Sequence, residues 1–272
     1  MEILQILALP AIGVCVATLG TLVGLGGGFI LVPILLMIFP NASPSTISSI
    51  SLTVVFLNAA SATIGNYRAK VIDFKTTGLL AIGAIPAAAV GALVSDQVSR
   101  TTFDLSMGIM LVLGSVYVVW RGYRANAARA EDIHYPNRHI TERMGRIHQF
   151  YVSTITAAGL SPASGFISSF FGIGGGVINV PAMTFILKMP TRVIAPTAML
   201  LLVLTSSSSL ITRILTHQFE DGWEAAALLG IGALIGAQIG IYLSSRVNQK
   251  LILILLAVSM ALVGLRQVVL GI

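Results

Sequence analysis

The side chains that could do chemistry in this chain are few, and most are neutral. Thr53, Asn58 and Ser61 share one apolar stretch, Thr205 and Ser206 to Ser209 share another, and Asn179 and Gln238 stand in two more. Hydroxyls and amides of this kind can replace the hydration shell of a small anion. They supply neither a nucleophile with its base nor a cage for a metal ion, so no cofactor and no enzymatic activity are expected. His148 borders the polar connector and His217 lies in a loop, where solvated imidazoles are the simpler account. The lone Cys15 excludes an intrachain disulfide and argues against a cysteine-based metal site. The long apolar runs carry no carboxylate, which argues against a cation pump built on a fixed proton relay. Ser and Thr commonly bond their own helix carbonyls, and four consecutive serines point to every side of a helix. Asn58 and Asn179 are harder to dismiss, because an amide facing lipid is costly.

The backbone offers a second source of chemistry. "GLGGGFILVPIL" at 24–35 returns as "GIGGGVINVPAM" at 172–183, with seven of twelve positions identical at an offset of 148. Gly26, Gly27 and Gly28, like Gly174, Gly175 and Gly176, permit a tight bend and close backbone approach. The residues after each bend start a short helix. Its unpaired N–H groups and positive dipole end favour an anion. Glycines also serve simply to let helices pack closely. That account suits Gly83/Ala87/Gly91 and Gly232/Gly236/Gly240, which keep four-residue spacing. A dinucleotide fingerprint fails, since it would need glycine at Phe29 or Val177. The candidate substrate-binding set is therefore Gly26, Gly27, Gly28, Asn58, Ser61, Gly174, Gly175, Gly176, Asn179, Ser206 and Ser209.

These groups must be positioned by membrane helices. The 272 residues are 56% hydrophobic and 10% charged, with a mean hydropathy of +0.92. No Asp, Glu, Lys or Arg occurs from Ile3 to Tyr67, and further uncharged runs cover 76–95, 105–120, 147–187, 193–212, 225–245 and 251–265. Most approach or exceed the roughly 20 residues that cross a hydrocarbon core. None shows the alternation of a barrel strand. The N-terminal segment has no basic n-region and is read as retained. The net charge of +6 fits basic cytoplasmic loops better than a nucleic-acid partner, so the bilayer is the expected environment.

The echo extends beyond the glycines. Residues 47–74 answer 194–223, and "GAIPAAAVGALVSD" at 83–96 answers "GALIGAQIGIYLSS" at 232–245. Two transmembrane repeats follow, 1–122 and 147–272, joined by a connector at 123–146 that belongs to an Arg-rich segment starting at Arg121. Each repeat has a glycine-broken unit (5–39; 147–187) and three further helices (47–66, 76–95, 101–120; 193–212, 223–245, 250–269). With the connector in the cytoplasm, 13 basic residues fall inside and only Arg100, Arg213 and Arg266 outside, and every matched loop changes sides. Repeats of opposite orientation need an odd number of crossings, so each broken unit contributes an even number, by re-entering or by crossing twice. Segment 29–39, as a helix, is roughly 16 Å long, too short for an ordinary span, and favours re-entry. The fold class read here is an all-α polytopic membrane protein of two inverted-topology repeats. Each is a Gly-broken, V-shaped, re-entrant helical unit plus three transmembrane helices, with both termini outside the cell membrane.

The duplicated glycine loops resemble those of the TauE/SafE family of sulfite-exporter-like permeases. So does the order that follows each, a T/S-rich helix, a loop, then Asp-Phe or Asp-Gly-Trp, in "SLTVVFLNAASATIGNYRAKVIDF" and "MLLLVLTSSSSLITRILTHQFEDGW". The resemblance covers nearly the whole chain except the connector. It departs from the family's frequent His after the Ser-rich helix, where this chain has Tyr67-Arg68 in repeat one and His217 in repeat two. It implies transport of sulfite, a sulfonate such as taurine or sulfoacetate, or a related organic acid. The reading is a secondary transporter working by alternating access between the repeats. A passive anion channel and a non-transporting assembly partner are the competing readings. A proton or sodium coupling ion and a homodimer remain open as partners.

Overall fold

In the computed structural model, residues 3–125, 136–143, 145–219, 222–244 and 249–270 are described. The middle of the connector and the turn at 246–248 in the charge tally lie outside them. The chain forms helices α1 (Ile3–Val23), α2 (Gly28–Ile38), α3 (Pro44–Ala69), α4 (Phe74–Ser95) and α5 (Arg100–Ala125). A short hairpin follows, β1 (Arg138–Thr141) paired antiparallel with β2 (Ile147–Phe150). Then come α6 (Thr154–Phe171), α7 (Gly176–Pro181) with a π-helical turn at Ala182–Ile186, α8 (Thr191–Leu215), α9 (Trp223–Ser244) and α10 (Gln249–Leu270). This is a polytopic all-α membrane architecture.

Burial is inverted relative to a water-soluble bundle. On α4 the small residues Ala84, Ala88, Gly91 and Ala92 face inward, while Ile82, Val90 and Leu93 are exposed. An apolar outer surface of this extent marks contact with lipid. Between helices there is little hydrophobic drive in a bilayer, so small residues and backbone contact hold the bundle. Gly232 and Gly236 sit against the Pro10 and Val14 carbonyls, joining α9 to α1, and Gly165 sits against the Ala84 carbonyl, joining α6 to α4. Thr18 Oγ1 donates to the Val14 carbonyl (2.7 Å) and across the seam to the Gly236 carbonyl (3.2 Å). The four-residue glycine spacing is thus a packing device on α4 and α9, as its periodicity predicted.

The contacts also give helix directions. α1 and α9 run parallel, Pro10 beside Gly232 and Thr21 beside Gly240. α4 and α6 are likewise parallel, Gly83 beside Ser161 and Gly91 beside Phe170. α3 and α8 run antiparallel: Ser45 near the start of α3 meets Arg213 near the end of α8, and Asp73, just past α3, meets Thr197 near the start of α8. α5 and α10 are also antiparallel, Gly264 lying on Gly108 and Val112, and Gly114 on Met260. α2 doubles back. Its Leu36 carbonyl and the Ala42 carbonyl beyond it both accept from Arg100, which opens α5.

Loops gather at two ends. At one, Ala42 accepts from Arg100, Arg213 reaches Ser45 and Ser95, and Gly222 lies against Thr46 and Ile50. At the other, Arg138 pairs with Asp73 at 3.6 Å, Arg143 N donates to the Ala69 carbonyl, and Arg192 faces Glu142 at 3.8 Å. The segments 40–46, 96–100 and 213–219, with Gly222, therefore share one end, and 67–75, 188–192 and the hairpin share the other.

Two boundaries differ from the sequence expectation. The uncharged run from Ile147 reads as helix, yet 147–150 forms β2 and α6 starts only at Thr154. Asn137 holds this edge by bonding the Val152 carbonyl and N–H, each at 2.9 Å, and Gly145 takes a left-handed φ of 81° in the turn. α8 runs on to Leu215 rather than ending near 212, so Arg213 is helical rather than a loop residue.

Candidate functional site

The site begins at two backbone bends. Gly24, Gly26 and Gly27 have φ of 82°, 75° and 84°, and Gly172, Gly174 and Gly175 have 70°, 77° and 66°. An L side chain in that region costs roughly 1–2 kcal/mol, which explains three glycines per bend. The fourth glycine of each loop has a different task. A Cβ on Gly28 would stand 2.7 Å from the Ile173 Cα of the other loop, and one on Gly176 would collide with the Leu25 Cα. Ile173 and Leu25 are themselves related by the 148-residue offset, so the two loops touch reciprocally. Gly26 and Gly174 both rest on Val55 and Leu202, which lie near the middle of α3 and α8.

The bends leave donors open. Among the described residues, no acceptor meets the N–H groups of Gly26, Gly27, Gly28 and Phe29, or those of Gly174, Gly175 and Val177. Helix N-termini of this kind carry partial positive charge and bind anions. The α2 terminus belongs to a helix of 11 residues, and Arg100 bonds the Leu36 carbonyl at its opposite end, which complements its dipole.

The side chains named from sequence divide into two groups. Asn58 is fully buried and belongs to the first bend: its Nδ2 donates to the Gly26 carbonyl (3.1 Å) and its Oδ1 accepts from Thr21 Oγ1 (2.8 Å). Asn179 is buried on α7, its Nδ2 lying 3.3 Å from where a Cβ on Gly175 would stand, and so borders the second bend. The serines are placed otherwise. Ser61 donates to the Leu234 carbonyl (3.2 Å) and accepts from Gln238 Nε2 (2.7 Å), stapling α3 to α9. Ser206 bonds the Leu202 carbonyl and Ser209 the Thr205 carbonyl, each four residues back in its own helix. In this conformation those two hydroxyls are spent on their own backbone.

Arg213, Thr21, Ser168 and Ser169 were missed from sequence. Arg213 is fully buried: its Nη1 donates to the Ser45 carbonyl (3.1 Å), and its Nη2 to Ser95 Oγ (2.7 Å) and the Ser169 carbonyl (3.0 Å). Its Nε–H has no partner, and neither do the Ser168 and Ser169 hydroxyls. An unmet buried donor costs about 1–3 kcal/mol, more when charged. The signal for Arg213 lay in its spacing, since Ser206, Ser209 and Arg213 recur at three and four residues on one helical face.

An apolar outer surface and glycine-broken helices packed within the bundle define a polytopic membrane protein, and broken helices of this kind recur in transporters. A model of the sulfite exporter TauE/SafE family matches residues 9–267, and the chain belongs to that family. It is 26% identical over 97% of both chains to the probable membrane transporter protein YunE of Bacillus subtilis (strain 168). It is 25% identical to the probable membrane transporter protein MJ0441 of Methanocaldococcus jannaschii, over 93% of this chain and 92% of the relative. A probable membrane transporter protein of Xylella fastidiosa (strain Temecula1) is 31% identical, over 84% of this chain and 80% of the relative. No solved structure matches the chain. The protein is a membrane transporter and not an enzyme.

Proposed function

We propose that this protein is a secondary transporter of a small anion. The substrate class is sulfite, a sulfonate such as taurine or sulfoacetate, or a related organic acid, moved by alternating access between repeats 1–122 and 147–272. The observation that carries the reading is the reciprocal contact of the two glycine loops, with open N–H groups beside Val55 and Leu202. Two half-helix N-termini meet there, which favours an anion without a fixed carboxylate or metal. Asn58 and Asn179 border the two bends and belong to this site. Ser61, Ser206 and Ser209 join it only if helix movement frees their hydroxyls.

Inversion of the repeats is supported by helix direction. α3 and α8 are counterparts in sequence and run antiparallel, as do α5 and α10. Counterparts related by an axis along the membrane normal would run parallel. α2 doubling back beside α1 supports a re-entrant unit. The end holding Asp73, Arg138, Arg143 and Arg192 is read as cytoplasmic from its basic residues, in the cell membrane, with both termini at the opposite face.

Counterflow in proteoliposomes tests the function. Vesicles loaded with unlabelled sulfoacetate, sulfite or taurine should accumulate the same labelled anion transiently, with saturable kinetics. Large unitary currents without counterflow would instead identify a channel.

A further inference from the structure

The proposed function assigns the anion to neutral backbone dipoles, yet the described residues also contain a fully buried guanidinium with no carboxylate in ion-pair contact. We propose that Arg213 Nε–H and the hydroxyls of Ser168 and Ser169 form a binding site for one oxyanion group, sulfonate or carboxylate, of the transported substrate. This deepens the transporter reading and rests on it.

Three orphaned donors belong to residues at the junction of α6, α8 and the second bend. Ser168, Ser169 and Arg213 have relative exposures of 1%, 0% and 0%, and the atoms without partners are the two hydroxyls and Nε. The Ser169 carbonyl accepts from Arg213 Nη2 at 3.0 Å, so α6 and α8 meet at this residue. Ser168 Oγ stands 3.0 Å from the position a Cβ on Gly175 would take, so it faces the second glycine bend. There the N–H groups of Gly174 and Gly175 also lack acceptors. The junction thus offers hydroxyls able to donate, backbone donors and one formal positive charge. An anion satisfies that set; a cation or an amine does not. The first repeat has no such site. At the 148-residue offset Gly65 stands in place of Arg213, Gly20 in place of Ser168, and Thr21 in place of Ser169. The Thr21 hydroxyl is already bonded to Asn58 Oδ1. The charge therefore belongs to one end of the pathway. The bonds from Arg213 to α3, α4 and α6 hold that end shut, and the anion reaches Nε when those helices part.

The test uses the full chain purified in detergent, with thermal denaturation read against concentration of sulfoacetate, of acetate, and of tetramethylammonium as a cation control. Wild type should be stabilised by the anions and not by tetramethylammonium. Arg213→Gln should raise the half-saturating sulfoacetate concentration by about tenfold or more, as loss of one charge-assisted hydrogen bond does. Arg213→Lys should recover part of that loss. The Ser168→Ala/Ser169→Ala double variant leaves all three existing guanidinium bonds in place. It decides the matter if Arg213→Gln does not fold, and should weaken sulfoacetate by at least about fivefold. An unchanged half-saturating concentration in the double serine variant, or in a folded Arg213→Gln, overturns the site and leaves Arg213 a structural clamp. Failure of the transporter reading looks different: wild type itself would show neither anion-dependent stabilisation nor counterflow, and this inference would fall with it.

Discussion

The two glycine loops share a left-handed backbone and press on each other through equivalent residues, but the groups behind them differ. Behind the first, Asn58 bonds both the Gly26 carbonyl and Thr21. Behind the second, the matching Ser206 turns to its own helix, and Ser168 and Ser169 keep free hydroxyls beside a buried Arg213. Both loops leave backbone N–H groups open, but the side chains behind the first are neutral and satisfied, whereas those behind the second include unmet hydroxyls and a charge. Duplication preserved the backbone that makes a bend and let the side chains around it diverge. The two bends are therefore not chemically equivalent, and the buried charge stands beside the second alone.

The sharpest break of this comparison is topological. A membrane-impermeant thiol reagent applied to intact cells should label cysteines placed at Asn41 or Thr216, two positions at one end that are not counterparts in the repeats. It should not label cysteines at Lys70 or Arg143, at the other end. The native Cys15 is exposed in the structure and is replaced first, by alanine. Labelling of Lys70→Cys from outside would remove the assignment of sides.

The loop contact comes next. Gly28→Ala and Gly176→Ala each drive a methyl into the backbone of the opposite loop, and each should lose about 3 kcal/mol or more, enough to abolish monodisperse protein in detergent. Gly78→Ala on α4 meets nothing within 4 Å and should be neutral or slightly stabilising. If one of the loop pair folds normally while the other does not, the contact is not reciprocal in energy as it is in geometry.

The smallest effect separates the two supporting side chains. Asn58→Ala leaves the Gly26 carbonyl and the Thr21 hydroxyl unmet and should cost about 2 kcal/mol. Ser206→Ala removes only an intrahelical bond and should cost less than about 0.5 kcal/mol. Equal losses, measured by denaturation in detergent, would show that the two loops are supported alike.

Much of the fold was legible because bilayer physics writes it into composition. Uncharged runs and duplicated glycines located most of the helices and the bends, since a membrane span admits few charges and a left-handed bend admits little but glycine. The four-residue glycine rows were correctly read as seams, because periodicity reports a face of a helix. Asn58 was legible as a costly buried amide, and it does stand at the first bend. Ser206 and Ser209 could not be ranked from sequence, because a hydroxyl in a helix satisfies itself locally or reaches outward with the same residue code.

What the sequence determined alone was local: element type, duplication, membrane residence, and family through the paired glycine motifs. Tertiary structure decided which groups meet. Arg213 reads as a loop cation beside an acidic stretch, yet α8 runs three residues past the expected end, to Leu215, and brings it into contact with Ser45, Ser95 and Ser169. Those partners lie on three other helices, 168, 118 and 44 residues away along the chain. Periodicity could put Arg213 on the face of Ser209, but not show what lies opposite that face, because helix packing brings distant segments together through shapes that no local pattern encodes.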